Sequence, residues 1–198
     1  MKIIVLAGGL STERDVSLSS AAGICRTLLE KGHDAFLLDV FMGLEHTPEN
    51  LEDVFTLPDH GLDIVKNIST EEPDLAAVKA SRPDQSDCFF GPNVIELCRL
   101  ADITFLGLHG GEGENGKLQA AFDLLGIKYT GPDSLGCAVA MHKGVAKQIF
   151  LESGVDTPGG GTLYKNGSFL PVSWTDTPGR CKAMLRRFKY RSLYCEYR

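Results

Sequence analysis

Residues 2–7 read KIIVLA and run straight into Gly8 and Gly9. Such a run, with almost no polar alternation, describes a strand buried on both faces, as in parallel sheets. From Ser17 to Lys31 the apolar residues Leu18, Ala21, Ala22, Cys25, Leu28 and Leu29 recur at helical spacing. Gly32 stops that helix, Lys31 sits in its last turn, and DAFLLDV (34–40) reads as a second strand. Strand, turn, helix and strand form a unit whose crossover is expected to be right-handed.

The pattern continues along the chain. DITFLGL (102–108) is a third strand and IKYTG (127–131) a short fourth. Helices are expected at 93–100, at 115–126 with Leu118, Ala121, Phe122 and Leu125 on one face, and once or twice within 134–154. Residues 43–87, rich in acids and prolines, read as an insertion with short helices near 49–54 and 60–68. Alternating strands and helices point to a doubly wound α/β sheet. A length of 198 residues suits one large domain, or one domain and part of another.

Apolar content of 43% and charged content of 23% belong to a soluble globular chain, and no run approaches a membrane span. The N-terminal apolar run is too short for a signal peptide, so a cytoplasmic location is expected. The six cysteines (25, 88, 98, 137, 181, 195) show no CxxC and no Cys/His pairing at zinc spacing. Reduced, mostly buried thiols and no metal site are expected from them. Net charge is −6, unevenly spread: residues 179–198 hold seven basic residues and one acid, whereas residues 1–178 hold 13 basic and 25 acidic. The acidic body opposes nucleic acid and anionic membrane as partners.

Ligands of open α/β sheets collect where loops leave the carboxyl ends of strands. Two loops lie at such ends, residues 8–17 and LHGGEGENGKLQ (108–119). The first lacks G-x-G-x-x-G and G-K-[ST], and its acids disfavour phosphate. Glu13 has two open readings. It is an acid near a helix start, favoured by the dipole with Ser11 or Thr12 as cap, or it is a carboxylate that holds an ammonium group. His109 ends a buried strand and opens a glycine-rich loop, which makes it a second candidate. Glu112 and Glu114 are candidate cation or amine binders, with a solvated loop face as the alternative. Lys143 and Lys147 share a helical face, a spacing that also describes a solvated stripe.

Three stretches, LAGGLSTERDVSLSSA, LGLHGGEGENGKLQAAFDLLGIKYTG and AMHKGVAKQIFLESGVDTP, resemble the D-alanine–D-alanine ligase family in order over residues 1 to about 158. The resemblance implies an N-terminal α/β substrate domain (1–140) of pre-ATP-grasp type and the truncated start of an ATP-grasp domain (141–170). A basic tail (171–198) follows that is foreign to the family. It implies ligation of two D-alanines for peptidoglycan with ATP and Mg²⁺. ATP phosphorylates the carboxylate of the first D-alanine, and the amine of the second attacks the acylphosphate. Glu13 then matches the glutamate that binds the first ammonium, and His109 the histidine lining the same subsite. Gly8 and Gly9 match glycines giving backbone access, and Glu114 and Gly116 match the G-E-D-G loop, with Asn115 for the aspartate. Lys143 matches a lysine that reaches ATP phosphates, with His142 where the family has an acid. Homodimerisation through the N-terminal domain is also implied.

After Pro158 the family's V-K-P and Gly-Ser-Ser stretches do not occur, nor do its magnesium ligands. The expectation is therefore a catalytically incomplete chain that binds D-alanine weakly and holds neither ATP nor Mg²⁺. The alternative is a non-catalytic amino-acid-binding or dimerisation module. The tail reads as out-of-frame sequence, or as a basic segment in which Cys181, Met184, Leu185 and Phe188 share a helical face.

Overall fold

The central strand β1 (Lys2–Ala7) sends alternate side chains to opposite faces of a sheet. In the computed structural model, which describes residues 1–44, 48–65, 72–158, 160–163 and 169–171, both faces are covered. The chain divides into two compact units, Met1–Ala138 and Val139–Arg198. In the first, β1 lies between β2 (Asp34–Asp39) and β3 (Ile103–Leu106), parallel to both. The register pairs Lys2 with Asp34 and Ile3 with Ile103.

Ile3, Val5, Ala7, Ala35 and Leu37 face Leu18, Ala21, Ala22 and Cys25 of α1 (Arg14–Glu30). Ile4, Leu6, Phe36 and Leu38 face the other way. They meet Val94 and Leu97 of α3 (Val94–Leu100) and, further along, Leu118 and Phe122 of α5 (Lys117–Leu125). Ile4, Val5 and Leu6 have no exposed surface, and burying each contributes about 1.5–3 kcal/mol before entropy is counted. The hydrophobic run read from the sequence thus serves two cores, one on each face.

The expected insertion forms two 3-10 turns, Leu51–Thr56 and Leu62–Ile64. A helix absent from the sequence reading follows, α2 (Leu75–Ser81), capped by the Asp74 carboxylate on the Ala76 and Ala77 N–H groups. Just beyond it, the buried Arg82 guanidinium donates to the carbonyls of Cys88 and Phe90, pairs with Asp84 and lies 4.8 Å from the Phe41 ring centroid. It ties the segment ahead of α3 to the end of β2.

The fourth strand expected at 127–131 is a correction. Only an isolated parallel bridge joins Thr104 to Tyr129. Gly126 and the Gly131–Pro132 pair bound the run, so its ladder is two hydrogen bonds, Thr104 N–H to Lys128 and Thr130 N–H to Thr104. The first helix begins at Arg14 rather than Ser17, and the strand expected over 102–108 is ordered as a ladder only at 103–106. The turn α4 (Gly111–Glu114) was also absent from the sequence reading. The region 134–154 forms two helices, α6 (Ser134–Met141) and α7 (Lys143–Glu152). In the second unit, β4 (Gly161–Leu163) pairs antiparallel with β5 (Phe169–Pro171), and Lys147 Nζ donates to the Pro158 carbonyl. The end of the expected 60–68 helix, Cys181, Cys195 and the amphipathic tail face lie outside the described residues. Among the described residues no helix is long and apolar enough to cross a membrane.

Cys25, Cys88, Cys98 and Cys137 are free thiols. Burial pushes the Cys25 thiol up to about 11 and Cys98 to about 12, from an ordinary 9.0. Above pH 9 the unfolded chain loses these protons while the native state keeps them. Their contribution to stability is therefore full below pH 9 and falls as pH rises toward 12. Timed alkylation with peptide mapping should label the exposed Cys88 well ahead of Cys25 and Cys98. Equal rates at the three would contradict the packing of both cores.

Candidate functional site

Ser17 draws the ends of three elements together. Its hydroxyl accepts from the Gly8 N–H at 3.0 Å and donates to the Gly107 carbonyl at 2.8 Å. The loop after β1 is thereby fastened to the loop after β3 at the carboxyl edge of the sheet. A second fastening runs outside it: Ser11 Oγ donates to the His109 carbonyl at 2.6 Å and accepts from the Glu13 N–H at 3.2 Å. Ser11 thus satisfies an N–H at the helix entry, as the sequence reading allowed. Glu13, the N-cap residue, makes no side-chain cap bond.

Beneath the turn lies a buried ion pair. The Arg14 guanidinium bonds Asp39 Oδ2 and also donates to the Gly9 carbonyl at 2.8 Å. Their side chains are 10% and 4% exposed. Asp39 Oδ1 accepts from the N–H groups of Phe41 at 2.9 Å, Met42 at 3.1 Å and Gly9 at 3.4 Å. Gly8 is required here. Its φ is +73°, and a methyl group at its Cα would lie 2.5–2.7 Å from the Asp39 carboxyl atoms. The N–H groups of both glycines are engaged inside the protein, so this Gly-Gly turn offers them to no phosphate.

Above the turn, the structure brings Glu13, His109 and Glu114 into one neighbourhood. A methyl group on Gly110 would meet Glu13 Oε2 at 2.9 Å, which places that carboxylate against the loop following His109. His109 Nδ1 is 3.9 Å from Glu114 Oε1, and its Nε2 is 3.1 Å from Ser20 Oγ on α1. The His109 and Glu114 side chains are 41% and 43% exposed, so the cluster is open to solutes. Glu112 faces Lys117 at 3.6 Å. Gly116 begins α5 at φ +88°, where a methyl group would lie 2.2 Å from the Ser134 carbonyl, so it lets α6 approach. Lys143 is the first residue of α7, which His142 Nδ1 caps by accepting from the Val145 N–H at 3.1 Å. A cavity of about 800 Å³ adjoins the two loops through Leu10 and Glu112 and reaches Phe41, Phe89 and Lys79.

Sequence reasoning named Glu13, His109 and Glu114 but missed Arg14, Asp39, Ser17 and Ser20. Asp39 ends a strand and Arg14 follows Glu13, so each was visible as a charge at a strand or helix terminus. Their pairing across 25 residues was not. Among the described residues no group of three or more His, Cys, Asp or Glu is placed to hold a metal ion.

Residues 2–132 match the family model described as D-ala D-ala ligase N-terminus. The D-alanine--D-alanine ligase of Lacticaseibacillus casei is 45% identical over 161 residues, covering 80% of this chain and 44% of the relative. That of Pediococcus pentosaceus is 42% identical over 181 residues, covering 90% of this chain and 50% of the relative. The chain therefore spans about half the length of these curated relatives. A solved D-alanine--D-alanine ligase from Bacillus anthracis, complexed with ATP, shares the fold with TM-score 0.52 at 22% identity over 85% of this chain and 42% of its own. One from Coxiella burnetii gives 0.51 at 23%, over 95% of this chain and 49% of its own.

Arg14→Met would leave the Asp39 carboxylate buried without its cation, at a cost of about 3–5 kcal/mol. Gly8→Ala should cost more than about 1 kcal/mol, from a left-handed φ and the carboxylate it would strike. Urea midpoints read both, with the half-exposed Val16→Ala as a control expected within about 0.5 kcal/mol. An Arg14→Met protein as stable as that control would show that the pair does not hold the turn.

Proposed function

The chain belongs to the D-alanine–D-alanine ligase family, and from that premise we propose that its first unit holds the ammonium group of D-alanine for an ATP-dependent ligation forming the D-Ala-D-Ala dipeptide of peptidoglycan. The observation that carries this reading is the Glu13 carboxylate lying against Gly110, beside His109, where two loops leave the sheet. An ammonium has three donors and no acceptor. A carboxylate in a fixed turn meets it through a charge-assisted hydrogen bond, stronger than a neutral one. Glu13 is the principal contact in this proposal. His109 and Glu114 line the same subsite, while Gly8, Gly9 and Gly116 shape the loops around it.

The reaction proposed needs a carboxylate made reactive, and ATP supplies that activation when bound. Lys143 opens a helix of ten residues, where a lysine charge and the helix dipole both favour a phosphate. It is the residue proposed to reach the ATP phosphates in a complete ligase of this family, of whose curated members this chain spans about half the length. No step is assigned to Mg²⁺ in this proposal. On this reading Glu13 orients the amino acid so that its carboxylate points away from the turn, because two carboxylates side by side repel. The reading further includes a cytoplasmic location, where ATP is available. It also includes a homodimer through the first unit, whose Leu124 and Leu135 are 90% and 71% exposed.

Calorimetric titration of the 198-residue chain should detect weak binding of D-alanine and none of N-acetyl-D-alanine, which lacks the ammonium. Glu13→Gln should lower the affinity by roughly tenfold to a hundredfold, the size of one hydrogen bond to a charged group. The exposed control Asp53→Asn should not. Equal binding of the acetylated compound, or an unaffected Glu13→Gln, overturns the assignment of Glu13.

A further inference from the structure

Ser20 lies nearly two turns into α1, 89 positions before His109 in sequence, and nothing in the ammonium reading requires it. Its hydroxyl has two neighbours at the same distance: the Ser17 carbonyl oxygen at 3.1 Å and His109 Nε2 at 3.1 Å. A hydroxyl carries one proton and two acceptor lone pairs. The Ser17 carbonyl can only accept, whereas a ring nitrogen can accept or donate, so the one arrangement that satisfies both contacts sends the Ser20 proton to the carbonyl. What Ser20 Oγ then presents to the imidazole is a lone pair, and a lone pair calls for an N–H opposite. We infer that Ser20 is a positioning residue that fixes neutral His109 as its Nε2–H tautomer, leaving Nδ1 as a bare acceptor beside Glu114.

Two acceptors compete for the single proton of the neutral ring. Glu114 Oε1 carries the greater charge but is 3.9 Å from Nδ1, beyond hydrogen-bonding distance. Ser20 is within that distance, and its own proton is committed elsewhere. Removing the Ser20 hydroxyl removes the partner of Nε2 and leaves the Glu114 carboxylate to draw the proton toward Nδ1. Resting on the ammonium subsite proposed above, the consequence is chemical. With Nδ1 bare, Glu13, His109 and Glu114 all face the ligand as acceptors, which matches a group made only of donors. With Nδ1 protonated, His109 would present a donor to an ammonium and oppose it.

The test is a long-range proton–nitrogen correlation spectrum of histidine-labelled protein, read from the neutral-ring signals, without D-alanine present. His109 is assigned by the peaks lost in His109→Gln. The expected wild-type pattern is the Nε2–H tautomer. Ser20→Ala should reduce the ratio of Nε2–H to Nδ1–H by roughly threefold to tenfold, the size of one net hydrogen bond. Ser20→Thr, which keeps the hydroxyl, should restore it. Ser20 is exposed, and alanine favours helices, so the variants are expected to fold. An Nδ1–H tautomer in the wild type, or the same ratio in Ser20→Ala, overturns the inference. Because no ligand is in the sample, failure of the ammonium reading leaves this result untouched, and the reverse also holds.

Discussion

A guanidinium and a carboxylate taken out of water together hold the edge of this sheet in shape. Neither Arg14 nor Asp39 could be buried alone, since an unpaired ion in the interior costs several kcal/mol. Paired, they account for the backbone on both sides. Asp39 gathers the N–H groups of Gly9, Phe41 and Met42, and Arg14 holds the Gly9 carbonyl. The loop after β1 and the loop after β2 therefore share one charge pair. Everything nearer the solvent rests on that arrangement: the start of α1, the exposed Glu13 that precedes it, and the seat of Ser11 against His109.

What was legible in the chain was what local spacing carries. The strand at 2–7, the helix after it and the strand at 34–39 follow from runs of side chains whose burial depends on near neighbours. Glu13 and His109 were legible for a different reason. Both stand at the carboxyl ends of strands, where the topology of a parallel sheet gathers loops, so position alone placed them near one another. Residues whose role depends on a distant partner were not. Arg14 beside Asp39, and Ser20 beside His109, are tertiary pairs separated by 25 and 89 positions. Ser20 in particular reads as an ordinary polar residue on an exposed helix face. The strand expected at 127–131 failed because β-branched and aromatic residues describe fitness for a sheet surface, not its length. Glycine and proline on either side left room for a single bridge.

The turn at Gly8 and Gly9 explains how a glycine pair after a buried strand can serve a carboxylate instead of a phosphate. Phosphate cradles work by aiming backbone N–H groups outward at an anion. Here the Gly8 N–H goes to Ser17 and the Gly9 N–H to Asp39, so both point into the protein. The positive φ that would open a nest in another sequence instead makes room for the Asp39 carboxylate at a distance no side chain at Gly8 would tolerate. A buried anion has taken the place that a bound one would occupy. With the inward N–H groups satisfied, what remains outside is the next residue able to carry charge, Glu13, set against a loop whose histidine and glutamate are also available as acceptors. The polarity of this corner is thus decided by where the backbone donors were directed, and acceptors are what it leaves facing solvent, which is why the ammonium group of the proposed ligand suits it.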